Sequence, residues 1–211
     1  MLMTRDETIM ALKDALDLGK NAVAMKTDGG VIVLCETDFQ KHQFKNGLDL
    51  RKADLNKVNF QEAMLHEASF SNSKIEQANF YKALLTKADF TNARLENADF
   101  GNACLYNADF TYACLHSTNF DASTLESAIL DSTDLREASF KKANLCFANL
   151  NYTNLFKTCF HGANLFGASL LGAKNLMAAQ LVHTKNLEYA IMDPGRFADA
   201  VAAGYKPSLH I

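Results

Sequence analysis

From Leu50 to Leu170 a Leu, Ile or Phe stands at every fifth position without a break, and alanine lies two residues before most of these centres. Earlier centres fall at Leu34, Phe39 and Phe44, and later ones at Leu176, Leu181, Leu187 and Met192. The joins Phe44 to Leu50, Leu170 to Leu176 and Leu181 to Leu187 each span six residues, one more than the rest. A period of five suits neither regular element. On an α-helix five residues advance a side chain by about 500°, and on a flat strand an odd period moves each centre to the opposite face. The chain must therefore turn between centres. Alanine and centre, two apart, share one side of a short extended segment, and the other three positions form an outward corner.

The centres alternate in type. Phe occupies 60, 70, 80, 90, 100, 110, 120, 140 and 160, with Leu or Ile between them. A three-sided coil of fifteen residues would stack Leu on Phe, whereas a four-sided coil of twenty stacks like on like. The pattern predicts four sides, with Phe60, Phe80, Phe100, Phe120, Phe140 and Phe160 as one aromatic column in the core. Each six-residue join should form a bulge or widened corner that keeps the next centre, such as Leu176 or Leu187, pointing inward. Asn or Asp precedes many centres and is expected to bond neighbouring backbone or the equivalent side chains of adjacent coils.

The stretches "ADFTN", "ANLCF", "ANLNY" and "ANLFG" resemble the pentapeptide-repeat family, whose pattern is A(D/N)LXX with Leu or Phe at the centre. The resemblance spans about residues 31 to 192. It implies an all-β solenoid, a right-handed quadrilateral parallel β-helix. With 32 centres, such a rod has about eight coils and a length of roughly 38 Å at about 4.8 Å per coil. The division of the chain is then 1–30 as an N-terminal helix and turn over one end, 31–192 as the β-helix, and 193–211 as a C-terminal helical segment and tail.

Both ends of a solenoid expose unpaired strand edges that need cover. Thr4 and Glu7 form a capping-box pattern, and Ile9, Leu12 and Leu16 recur at helical spacing before Gly19, which predicts a helix over about 5–18. The stretch "KTDGGVIVL" reads as a turn feeding the first strand. Pro194 is placed to open a second helix that Gly204 stops. Phe197 and Val201, four apart, would share one face of that helix, which either caps its own coil or joins a second chain in a homodimer. Some relatives of the family dimerise through such a segment. The only prolines, Pro194 and Pro207, lie outside the repeats, where no ladder N–H is lost.

Composition narrows the chemistry. A net charge of −3 in 211 residues gives no basic field for phosphate backbones, so direct nucleic-acid binding is not expected. Five cysteines, an odd and scattered set, read as reduced thiols of a cytoplasmic protein. The acid-bearing N-terminal stretch does not read as a secretory signal, and no run approaches the roughly 20 apolar residues of a membrane span. Cys114 with His116, and Cys159 with His161, flank single centres, but arginines stand one coil from the first pair, which argues against a metal. No phosphate loop, nucleophile elbow or cofactor fingerprint occurs. A non-enzymatic protein with no catalytic residues, cofactor or metal is the expectation.

Outward positions sort by side. Met64, Leu84, Cys104 and Tyr106 form one apolar group beside the Leu65–Leu165 centres, and Cys146, Phe147 and Phe166 form another higher on the same side. The opposite side is charged, with Lys74, Glu76, Arg94, Glu96, Asp134 and Arg136. Exposed apolar groups of this kind mark interaction surfaces. The leading expectation is a protein-binding or scaffold module whose partner is unknown. The alternative, implied by the resemblance, is a DNA-mimicking binder of a type II topoisomerase of the quinolone-resistance type. Between residues 50 and 192, 14 acidic residues stand against 13 basic ones. This is a poor match for the charge of duplex DNA.

Overall fold

Every described coil carries the same backbone device. In the computed structural model of the chain, the described residues are 7, 10, 11, 26–28, 31–34, 38–44 and 46–207. The centre residue's carbonyl accepts the N–H of the residue three further on, as Phe100 accepts Ala103 at 3.0 Å, which closes a tight turn. The residue two after the centre, such as Asn92, Asn97, Asn102 or Asn107, has φ between 56° and 60°, in the left-handed region. Asn visits this region readily and Gly without penalty, and Gly162, Gly167 and Gly172 take over the position in the last coils. This corner turns the chain before each new extended segment.

Successive coils then hydrogen-bond in parallel. Leu84 pairs with Cys104, Asp89 with Asp109, Arg94 with Cys114 and Asp99 with Asn119, each twenty residues on, so the coil has four sides. The sides are identified here by the centres Phe100, Leu105, Phe110 and Leu115. Each step is closed by bonds such as Leu105 N–H to Thr124 O at 2.8 Å and Thr124 N–H to Ala103 O at 2.9 Å. The pairs are single bridges because each straight segment is too short to form a longer strand. A residue just before a centre adds its side chain to the turn: the Asp99 carboxylate accepts the Gly101 N–H at 2.8 Å and the Asn119 amide at 2.8 Å. The recurring carboxylates are therefore structural.

Inside, the stacking of like on like holds. The rings of Phe80 and Phe100 stack with centroids 4.7 Å apart, Phe100 and Phe120 at 5.1 Å, and Phe120 and Phe140 at 4.9 Å. A second column, Phe70, Phe90 and Phe110, stacks at 4.8 Å per step and meets the first edge to face. Rings from Phe60 to Phe120 so contribute both parallel and T-shaped contacts. Where Ser or Thr replaces the inward alanine, its hydroxyl returns to a backbone carbonyl, as Thr133 does to Leu130 O at 2.7 Å. No polar group is thereby left unpaired at those positions.

The joins behave as the spacing predicts. Asn175 and Asn186, at φ 58° and 55°, absorb the extra residue at the two upper joins, and Leu176 and Leu187 return to the core at 4% and 0% exposure. Both asparagines bond an asparagine of the coil below, Asn175 to Asn154 at 2.8 Å and Asn186 to Asn164 at 2.7 Å. At the lower join Gly47, with φ 80°, leads into the buried Leu48 and Leu50. Between the upper joins lies a short helix that the repeat pattern does not predict, α1, Ala178–Leu181. The Gln180 amide donates to Thr158 O at 2.7 Å, taking the place of a backbone donor that the helix withdraws from the ladder. A single 3-10 turn follows at Leu187–Tyr189.

At the C-terminal end, helix α2, Arg196–Ala202, starts after Gly195 and is followed by Gly204 at φ 113°, close to the expected bounds. It covers its own coil. Ala200 and Tyr205 are buried, Phe197 packs on the core, and Arg196 donates to Leu176 O at 2.7 Å. The Tyr205 hydroxyl accepts the Leu187 N–H at 2.9 Å and donates to Glu188. At the other end β1, Lys26–Asp28, and β2, Val31–Val33, pair antiparallel, and the residues between them, where the turn is expected, lie outside the described residues. Of the helix expected over 5–18, Glu7, Met10 and Ala11 are helical and the rest lies outside the described residues.

Two measurements test this arrangement. Phe100→Ala should destabilise by about 3–5 kcal/mol in denaturant titration, because it opens a hole in both ring columns, while Asn102→Ala should cost at most about 1 kcal/mol for its left-handed corner. Similar losses would overturn the inward and outward assignment. Burial, and then the Glu188 carboxylate, push the Tyr205 hydroxyl up to about 12. The neutral phenol is thus favoured in the fold, and its contribution is complete below pH about 10 and lost as pH rises toward 12. Tyr205→Phe should lower the melting temperature at pH 8 and flatten this alkaline loss; an unchanged slope would show that Tyr205 does not carry it.

Candidate surface for partner binding

The lower apolar group is built by register. Met64, Leu84 and Cys104 occupy the same position in three successive coils and are bridged in line on the Leu105 side. Leu84 and Tyr106 are exposed, while Met64 and Cys104 are half-buried. Thr86 lies 3.6 Å from the Cys104 sulfur, so a hydroxyl interrupts this group. Above it, Thr124 and Glu126 form a polar break, and Glu126 accepts the Asn144 amide at 3.5 Å. The two groups that the sequence places on one side are therefore separate patches.

The upper group is larger than the sequence reading gives. Phe147 and Phe166 meet edge to face at 5.4 Å, and Tyr189 joins Phe166 at 4.9 Å. Phe147 is 56% exposed. Its ring lies over Gly167, where an added Cβ would come within 2.5 Å of it, so glycine serves here both the left-handed corner and the seat of the ring. Tyr152 lies over Gly172 in the same way. Cys146 is half-buried beneath the Asn164 amide at 3.0 Å, and burial raises its thiol above the ordinary range. Tyr189 was legible in principle. Carrying the repeat phase across the join at Leu187 puts it directly above Gly167 at the corner.

The Leu115 side is closed by ion pairs. Arg94 reaches Glu76 at 2.8 Å and Glu96 at 3.6 Å, Arg136 forks onto Asp134, and Glu137 meets Lys157 at 3.5 Å and His116 at 3.7 Å. Arg136 holds the Asp134 carboxyl below its ordinary range. Burial, then the charges of Glu96 and Asp134, push the Cys114 thiol up to about 11. A thiol so placed is a poor nucleophile near neutral pH. Cys159, His161 and His183 line a groove of about 330 Å³ beneath α1, with the two imidazoles 5.1 Å apart. Among the described residues no group of three or more His, Cys, Asp or Glu side chains is placed to hold a metal ion, and no helix is long and apolar enough to cross a membrane.

The association candidates divide. Phe197 lies against its own core and meets Tyr205 at 5.9 Å, whereas Val201 faces outward at 40% exposure. The expected stripe is thus used on one flank by the chain itself.

A family model described as pentapeptide repeats matches residues 46–80, 75–111, 83–126 and 128–167, with 8 copies. No curated protein matches the sequence. A trypsin-treated variant of QnrB1, a plasmid-mediated fluoroquinolone resistance protein, is similar over 83% of this chain and 91% of its own, with 18% identity and a TM-score of 0.59. A second trypsin-treated variant of that protein is similar over 83% and 99%, with 16% identity and a TM-score of 0.52. HetL, a pentapeptide repeat protein involved in heterocyst differentiation regulation in the cyanobacterium Nostoc, has 26% identity over 85% of this chain and 84% of its own, with a TM-score of 0.32.

The environment of Cys114 has a measurable consequence. At pH 8, alkylation by iodoacetamide followed by peptide mass should find Cys114 at least about tenfold slower than an unperturbed thiol, and Glu96→Gln should accelerate it. No acceleration would mean that burial alone protects the thiol.

Proposed function

Since this chain belongs to the pentapeptide-repeat family, we propose that it is a non-enzymatic, cytoplasmic protein-binding module: a right-handed rod of about eight coils that presents fixed surfaces to a protein partner. One observation carries this reading. Phe147, Phe166 and Tyr189 are exposed yet packed on one another, on a rod whose interior is already filled by its own rings. Exposed, mutually ordered aromatic groups are the usual anchors of protein interfaces. The recurring carboxylates that could suggest acid–base chemistry are engaged with backbone N–H groups of their own turns. Self-association through α2 would have to use Val201 and its exposed neighbours Ala198 and Ala202.

A second reading, a DNA-mimicking binder of a type II topoisomerase such as DNA gyrase, draws on the fold shared with a fluoroquinolone resistance protein. A specific stretch favours it. On the Phe110 side, Asp89, Asp109 and Asp131 stand on three successive coils with no basic residue in the outward positions of those coils on that side. Three charges over roughly 10 Å of rod are about half the density of duplex DNA. Arg94, Arg136, Lys141 and Lys142 elsewhere dilute the match further.

The discriminating experiments are direct. The full chain should capture a specific protein from an extract of its source cells; Leu84→Asp or Phe147→Asp should abolish capture, and Arg94→Ala should leave it intact. Capture that survives both apolar substitutions would remove these patches from the reading. Inhibition of gyrase supercoiling by the purified chain, lost in Asp89→Asn with Asp109→Asn, which keep the turn acceptors and remove the charge, would establish the second reading in its place.

A further inference from the structure

The exposed apolar surface of the upper rod continues past the aromatic corner. Ile191 stands above Ser169 on the Phe110 side, Leu171 lies across that side, and Tyr152 takes the next corner over Gly172. With Phe147, Phe166 and Tyr189 these make six exposed large apolar side chains, from 37% to 62% exposed, spread over three coils or about 10 Å of rod. Two lysines border the patch. Lys185 stands above Asn164 on the Leu105 side and Lys174 above Asn154 on the Leu115 side. Both are exposed, and neither has a carboxylate partner among the described residues. Two carboxylates of this end are engaged by the fold: Asp193 accepts the Gly172 N–H at 3.1 Å and Glu188 accepts the Tyr205 hydroxyl, while Asp199 is exposed on α2. From residue 143 to 192 the chain carries Lys157, Lys174 and Lys185 against Glu188 alone.

We propose that this patch docks a protein segment that presents two or more aliphatic or aromatic side chains flanked by aspartate or glutamate. The inference rests on the protein-binding reading above and assigns its face and its partner's chemistry. Apolar anchors on the partner would cover the ring corner and Leu171, while its carboxylates would meet Lys185 and Lys174 on the two sides. A second copy of this chain is a poor occupant, because a twofold contact through the patch brings its unpaired lysines toward one another. The acidic stretch lower on the rod exposes Tyr112 and Ile129 beside its aspartates, so self-association of the full chain through the upper patch, read by light scattering, would overturn the proposal.

The test is selection of random peptides displayed on phage against the immobilised full chain, followed by binding of the selected peptides in solution. The expected outcome is enrichment of sequences that combine Trp, Phe or Leu with Asp or Glu. Their affinity should fall about tenfold or more in Phe147→Ser with Tyr152→Ser, and clearly in Lys174→Glu with Lys185→Glu, with melting temperatures near that of the parent. Leu84→Ser should leave binding unchanged. Enrichment of basic or uncharged sequences, no enrichment at all, or affinity insensitive to the patch substitutions would overturn the proposal. Binding to vesicles containing phosphatidylserine with no peptide selected would assign the patch to a lipid surface and equally overturn it. If peptides bind through the patch while the native partner is captured through Leu84, the partner assignment fails and the protein-binding reading stands.

Discussion

The hydrogen-bonded ladder between coils governs nearly everything else in this molecule. Away from the joins each step places a residue over the one twenty before it, and a donor missing from one coil leaves a carbonyl unpaired in the next. Side chains therefore stack by position rather than by local preference. The Phe columns follow from this, because repeating Phe at twenty-residue intervals sets rings about one coil spacing apart. So does the tolerance of left-handed corners at lysine, glutamate and tyrosine. Isolated, such a conformation is unfavourable for those residues; here the corner N–H and the turn bond hold it in every coil.

That same regularity explains what the sequence discloses. The four sides, the inward columns and the direction of Leu176 and Leu187 follow from periodicity, since one slipped residue would expose a whole series of centres. The handedness of the corner residue was written less plainly. Asn recurs at 92, 97, 102 and 107 and Gly at 162, 167 and 172, which is the signature of a left-handed position, but Lys, Glu and Ser at equivalent sites obscure it. Helix α1 was not legible at all. "MAAQL" continues the repeat, with Leu181 as centre and Ala179 two before it, and its helical course depends on the Gln180 amide reaching carbonyls more than twenty residues earlier.

The candidate surface was partly legible for a related reason. Positions within one unbroken phase, such as Phe147 and Phe166, can be assigned to a corner and a side from numbering alone. Tyr189 and Ile191 lie beyond two extra residues, so placing them requires the phase to be carried across both joins, which the bulges at Asn175 and Asn186 restore. The terminal helix shows the opposite case. Its spacing put Phe197 and Val201 on one face, yet the buried contacts are made by Ala200 and by Tyr205, three residues past the helix, whose hydroxyl reaches back to Leu187. Helical periodicity says which residues share a stripe; it does not say which flank of the stripe meets the coil.

A solenoid of this construction has little freedom to build a site inside itself. Its inward positions are filled, its turn carboxylates are bonded to backbone, and its thiols at Cys114 and Cys146 are held above their ordinary range. What can vary without disturbing the ladder is the set of outward residues, three in each repeat. Variation there changes surface chemistry at fixed, rigid spacing. The lower coils use it for paired charges and the upper coils for aromatic rings seated on glycine with lysines at the borders. Because the rings at 147 and 152 have glycines placed above them to receive them, this upper surface is built into the backbone pattern rather than scattered over it. Under the protein-binding reading, specificity thus resides in the outward residues of the corners and sides of the rod.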